Sequence, residues 1–313
     1  MLFDATKFYE ELDGYFYRHD TCATEKFLLE TLEGLENSML ISTECSSCGG
    51  SCPDDSCPSE EEIAWAVERS QGMIAVLNEL ACFYRGLSRW DDSLKAFSRV
   101  MAEMELCGLE ESDNYALVII NTAGTYRLLA KYNEALEAFD RAKEILDKNG
   151  NNNAYNYASL YNNAGLVYQD LKNYPKAVEY LEKALDYLPH TDANKAEAAT
   201  NLSNLAMAYY NMGNIGEADK KIDASIEIFK DLDGGLNPHY GGALNTKAFI
   251  CFNAGDTAGA AVKFEKAADI TKLIFGENRE YAIACRNCAY AYDRLGNREK
   301  AEHYRGLAEK VNM

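Results

Sequence analysis

Small residues, rather than large apolar ones, mark the beat of this chain. Taking the small residue early in every second amphipathic segment as an anchor gives Ser93, Ala135, Ala177, Ala218, Ala260 and Ala301, separated by 42, 42, 41, 42 and 41 residues. Twelve residues before each anchor stand Ala81, Ala123, Gly165, Ala206, Ala248 and Ala289, a column of small residues only. Nine before stand Tyr84, Tyr126, Tyr168, Tyr209, Cys251 and Tyr292, and four after stand Phe97, Phe139, Leu181, Ile222, Phe264 and Arg305. Apolar positions at three- and four-residue spacing predict helices. Met212-Gly213-Asn214, Ala254-Gly255-Asp256 and Leu295-Gly296-Asn297 predict the turns between them. Each period is then an antiparallel helical hairpin in which small residues let two backbones approach and a ring fills the space beside them.

One such hairpin cannot bury its apolar face alone, so residues 70–313 read as six hairpins stacked into an all-α solenoid with a concave side. Thr257 and Arg298 replace the aromatic or apolar residue three before the anchor, and Arg305 replaces a core residue, which predicts looser packing in the last two units. With His303 and Lys310, Arg305 gives the final helix the polar outer face that an end cap requires. Residues 1–42 read as a degenerate seventh hairpin, with Leu12, Tyr15 and Leu28 at the matching offsets from Thr24. Residues 43–69 are an insertion followed by the start of the next helix, where Ser59 and Glu62 form a capping-box pattern. Pro175, Pro189 and Pro238 fall between helical patterns.

Charge narrows the partners. Fifty Asp and Glu against 31 Lys and Arg give a net charge of −19, a field that repels phosphate backbones and anionic lipid surfaces. Nucleic acid and membrane are therefore not the expected partners. The apolar runs are far shorter than the roughly 20 residues of a membrane-spanning helix. Acidic residues near the start, where a signal peptide carries basic ones, predict a cytoplasmic protein. Cysteines scattered through helical segments, such as Cys82, Cys251, Cys285 and Cys288, suit a reducing compartment.

Four further cysteines, Cys45, Cys48, Cys52 and Cys57, are spaced C-x2-C-x3-C-x4-C in the insertion. The first pair has chelating spacing for zinc or an iron–sulfur cluster, but the last two do not complete a second C-x2-C. A metal site, a thiol–disulfide role and a loop with no fixed ligand all remain open, with the last preferred and no cofactor expected. The four histidines are far apart, His190 and His239 lie beside Pro between repeats, and no glycine loop ends in Gly-Lys-Ser or Gly-Lys-Thr. Catalysis has no visible seat, and no enzyme is expected.

The concave face carries the chemistry. First-helix positions at fifteen, eleven, eight and seven before the anchors bring Asn162, Asn245, Arg85, Arg127, Phe249, Phe252, Arg286, Tyr290 and Arg294 onto it. The adjacent column, fourteen before, reads Glu79, Asn121, Asn163, Asn204, Thr246 and Asn287. An amide offers both donor and acceptor, so a row of them suits the successive peptide groups of an extended ligand. The competing reading is that some of these amides bond only the neighbouring helix.

The columns resemble the tetratricopeptide repeat, in the longer form found in kinesin light chain. The likeness rests on Tyr161-Asn162-Asn163-Ala164-Gly165-Leu166-Val167-Tyr168, on Asn204-Leu205-Ala206-Met207-Ala208-Tyr209 and on Phe275-Gly276-Glu277-Asn278-Arg279-Glu280-Tyr281-Ala282. It implies a right-handed superhelix, a scaffold or adaptor role, and peptide contacts for Asn121, Asn162, Asn163, Asn204, Asn245 and Asn287. An intracellular receptor for a signalling peptide, and a metal or redox protein centred on the four clustered cysteines, are the alternatives.

Overall fold

The computed structural model describes residues 3–18, 20–38, 60–150, 153–189, 191–232 and 237–311. Cys45, Cys48, Cys52, Cys57 and His190 lie outside these residues. Among them the chain forms fourteen α-helices and no strand. Two compact units result, Met1–Thr125 and Tyr126–Met313.

In the first unit, α1 (Ala5–Tyr17) and α2 (Thr21–Asn37) form the N-terminal hairpin, burying Leu12, Thr24 and Leu28. Tyr15 stacks on Phe27 with ring centroids 4.8 Å apart. α2 packs on α3 (Glu60–Gly86), and α3 on α4 (Trp90–Leu106). α3 begins at Glu60, and Ser59, the first residue of the capping-box pattern, lies outside the described residues. α5 (Asp113–Leu128) contains the boundary between the units.

The second unit continues with α6 (Tyr132–Lys148), α7 (Ala154–Asp170), α8 (Tyr174–Tyr187), α9 (Lys195–Asn211) and α10 (Ile215–Asp231). It ends with α11 (Pro238–Asn253), α12 (Thr257–Phe275), α13 (Arg279–Arg294) and α14 (Arg298–Lys310). Consecutive helices from α6 to α14 pack on one another, and the first helices of successive hairpins also touch, α7 on α9 and α9 on α11. Pro175 and Pro238 sit in the first turn of α8 and α11, where a missing N–H costs no helical hydrogen bond. His239 is therefore a helix residue and not, as its neighbour Pro suggests, part of a loop.

All six hairpin turns are the same object. The residue five before each anchor has positive φ: Ser88, Ala130, Lys172, Gly213, Gly255 and Gly296, between 56° and 88°. In each, the next residue's N–H returns to the carbonyl of the ring column, for example Asn173 to Tyr168 at 2.8 Å and Asn297 to Tyr292 at 2.9 Å. The positive-φ residue itself bonds back three positions, as Lys172 does to Gln169 and Gly255 to Phe252. This pair of bonds satisfies carbonyls that a helix end leaves open. The following residue then caps the second helix, and Asn173, Asn214, Asp256 and Asn297 each accept a backbone N–H.

The anchors and the small column are buried throughout, as are Phe97, Phe139, Leu181, Ile222 and Phe264. Gly165 shows how tight the fit is: a Cβ there would stand 2.8 Å from Leu181 Cγ. At the end of the array α14 buries only Ala301 and Ala308, and Arg305 turns outward to pair with Asp293.

Two predictions follow from packing and turn geometry. Gly165→Leu should destabilise the protein by about 1–3 kcal/mol through overpacking against Leu181, measured by denaturant unfolding; an unchanged midpoint contradicts the close approach. An L-residue at positive φ costs about 1–2 kcal/mol, offset by about 0.5–1 kcal/mol of glycine's backbone entropy. Lys172→Gly should therefore stabilise by about 0.5–1 kcal/mol and Gly213→Ala destabilise by a similar amount. Midpoint shifts of the same sign would refute a common turn.

Candidate functional site

The first helices of the second unit, α7, α9, α11 and α13, carry the polar columns, and their equal spacing brings equivalent side chains together. Asn204 Nδ2 donates to Asn162 Oδ1 at 2.9 Å, and Asn287 Nδ2 donates to Asn245 Oδ1 at 2.8 Å. Both bonds join residues 42 apart, fifteen before one anchor and fourteen before the next. Asn253 Nδ2 donates to Tyr210 Oη at 2.7 Å, across the same step. Asn163 instead turns onto its own helix, donating to the Ser159 carbonyl at 2.9 Å.

Each pair uses one N–H and one lone pair of amides that have two donors and two lone pairs apiece. Asn162 and Asn245 keep their NH2 groups, and Asn204 and Asn287 keep their carbonyl oxygens. The four side chains are half-buried, and these leftover groups are absent from the buried unsatisfied atoms among the described residues. The pairs thus hold a donor and an acceptor in fixed orientation at two first-helix junctions, α7 with α9 and α11 with α13.

The arginines divide sharply. In the first unit Arg85 donates to the Asn121 carbonyl at 3.1 Å and lies 5.9 Å from the Phe97 ring centroid, so it braces α3 against α5. Asn121 contributes its backbone oxygen there, which also receives Thr125 Oγ1 at 3.4 Å. In the second unit Arg127 pairs with Asp170 at 2.8 Å. Arg286, by contrast, makes no hydrogen bond or ion pair among the described residues and is exposed. It lines a cavity of about 350 Å3 with Ala289, Tyr290, Asp293, Arg305 and Ala308, at the junction of α13 and α14.

The aromatic residues also separate. Phe249 packs edge-on against buried Phe264 at 5.1 Å and belongs to the core between hairpins. Phe252 meets Tyr290 at 5.2 Å, and the Arg294 guanidinium stands 5.8 Å from the Phe252 centroid. Tyr290 is 53% exposed. The structure therefore gathers Phe252, Arg286, Tyr290 and Arg294 at one end of the second unit, beside the Asn245–Asn287 pair. Sequence reading passed over the position twenty-one before each anchor, which holds Glu197 on α9 and His239 on α11.

No helix among the described residues is long and apolar enough to cross a membrane. The sequence matches the tetratricopeptide repeat family over residues 72–148 and 121–190, and the anaphase-promoting complex subunit 5 family over residues 161–233. Comparison with curated proteins gives no match. Among solved structures the chain is similar to NprR in complex with its cognate peptide NprX, at 16% identity and TM-score 0.64, covering 99% of this chain and 79% of that one. It is also similar to the apo form of RapI, at 16% identity and TM-score 0.60, over 97% and 96% of the two chains. A third likeness, to BtubC from P. vanneervenii, has 18% identity and TM-score 0.54 over 72% and 89%. At these identities the structural likenesses speak for the fold, and they agree with the repeated hairpin, its small-residue column and its shared turn. The chain carries tetratricopeptide repeats, matched over residues 72–190.

Proposed function

We propose that the second unit is a scaffold that holds an extended peptide segment along its first helices. The observation that carries this reading is the repeated amide pair, Asn162 with Asn204 and Asn245 with Asn287. Each presents an oriented donor and acceptor to a ligand's peptide groups, independent of that ligand's side chains. Arg286 and Arg294 then suit a carboxylate on the segment, and Phe252 and Tyr290 an apolar side chain beside it. Asn163, Arg85, Arg127 and Phe249 have supporting roles in this reading, since each already makes a contact within the fold. NprR, which shares the fold, holds a cognate peptide. A receptor for a signalling peptide is the narrower form of the same reading, differing only in where the segment comes from.

The test is binding of fluorescent random heptapeptides, followed by isolation of the best binder and titration of variants. Asn162→Ala with Asn204→Ala should weaken it by about 1–3 kcal/mol while leaving helicity and melting close to the parent. Arg286→Ala with Arg294→Ala should weaken it in a manner that fades at high salt, because exposed charges are screened. If both double variants bind as the parent does, the segment does not lie along the first helices.

A further inference from the structure

α9 carries two oxygen acceptors that the described residues leave unsatisfied. Glu197 Oε2 and Asn201 Oδ1 are both buried and have no hydrogen-bond partner there. Asn201 is only 4% exposed. Four residues apart, the two side chains stack on one face of the helix, one turn above the other. A carboxylate oxygen and an amide oxygen removed from water without a donor are destabilising, so they call for a donor that the described residues do not supply.

Two lysines of α9 and α11 are committed elsewhere. Lys195, closest in sequence, pairs with Asp192 at 2.8 Å. Lys247 is held by Asp219 and Asp223, each at 2.7 Å. The charge of Glu197 reaches the first helix on either side: Tyr155 on α7 and His239 on α11. Burial, and then the Glu197 carboxylate, raise the Tyr155 phenol above its ordinary range. Desolvation pushes the His239 imidazole below its ordinary range, with Glu197 offsetting part of the effect. This direction disfavours the imidazolium that would serve Glu197 as a counter-charge. Glu197 and His239 occupy the same repeat position, twenty-one before their anchors, on adjacent first helices.

We propose that Glu197 and Asn201 receive a cationic group, an ammonium or guanidinium, of the segment bound along the first helices, with Tyr155 and His239 beside it. This rests on the peptide-binding reading above and adds to it the charge of the ligand. An ammonium has three donors and a guanidinium five, so either has donors enough for both acceptors, and its charge suits the carboxylate. The α-amine of a segment and a Lys or Arg side chain share this chemistry.

The experiment uses three pools of random heptapeptides against the full chain: free amino termini, acetylated termini, and acetylated termini with Lys and Arg omitted. Cation-bearing pools should bind about tenfold or more tightly, and Glu197→Gln should abolish that preference. Comparison of the first two pools assigns the cation to terminus or side chain. Glu197→Gln keeps the shape of the side chain, and melting measured beside the parent's keeps its binding interpretable. Equal binding of all three pools, or a preference that survives in Glu197→Gln, overturns the cation site and leaves the peptide reading standing. No binding by any pool contradicts both.

Discussion

The close approach of two helices within each hairpin governs everything else in this protein. Alanine, or glycine at 165, twelve before the anchor and a small residue at the anchor bring the backbones together, and a larger side chain four after the anchor closes the gap. At Gly165 the contact leaves no room for even one additional carbon without a shift of Leu181. Because interiors are packed to near-crystalline density, this contact fixes the rotation of one helix against the other. The shared turn, with its left-handed residue and paired carbonyl bonds, fixes where the second helix begins. A hairpin so constrained can only be repeated in one register.

The proposed function rests on that register. With a period of 42, the same heights on successive first helices meet the same neighbours, and amides placed there pair twice over, at 2.9 and 2.8 Å. Such pairing spends part of each amide on rigidity and leaves part for a ligand, which lowers the ordering cost of binding. Against an overall charge of −19, the open side chains near α13 are arginines, whereas α9 holds an unpaired carboxylate oxygen. A segment with charges of both signs at different points along its length matches that arrangement.

The hairpins and their columns were legible in the sequence, because small residues and rings at fixed offsets have a single packing solution. The last three turns were legible through Gly213, Gly255 and Gly296. The first three were not, since Ser88, Ala130 and Lys172 adopt the same positive φ without the residue that advertises it. There the hairpin packing imposes the conformation. His239 was misplaced because Pro reads as a break, although at a first helical turn it is compatible with the helix. The columns brought the amides to one surface but did not say which would pair: Asn162 and Asn204 do, while Asn163, one residue along, faces a carbonyl of its own helix. That choice depends on side-chain direction, which a one-dimensional pattern does not carry. The same holds for Arg85 and Arg127, whose engagement appears only once the helices are packed.

Side-chain amide NMR of protein labelled with 15N at asparagine tests the central claim most directly, with spectra compared before and after saturation by a heptapeptide selected from a random pool. If the register of the first helices creates the binding surface, the amide signals of Asn162, Asn204, Asn245 and Asn287 move together. Those of Asn214 and Asn297, which cap second helices at the turns, stay in place. Shifts confined to the turn asparagines, with the paired amides unmoved, would contradict the claim.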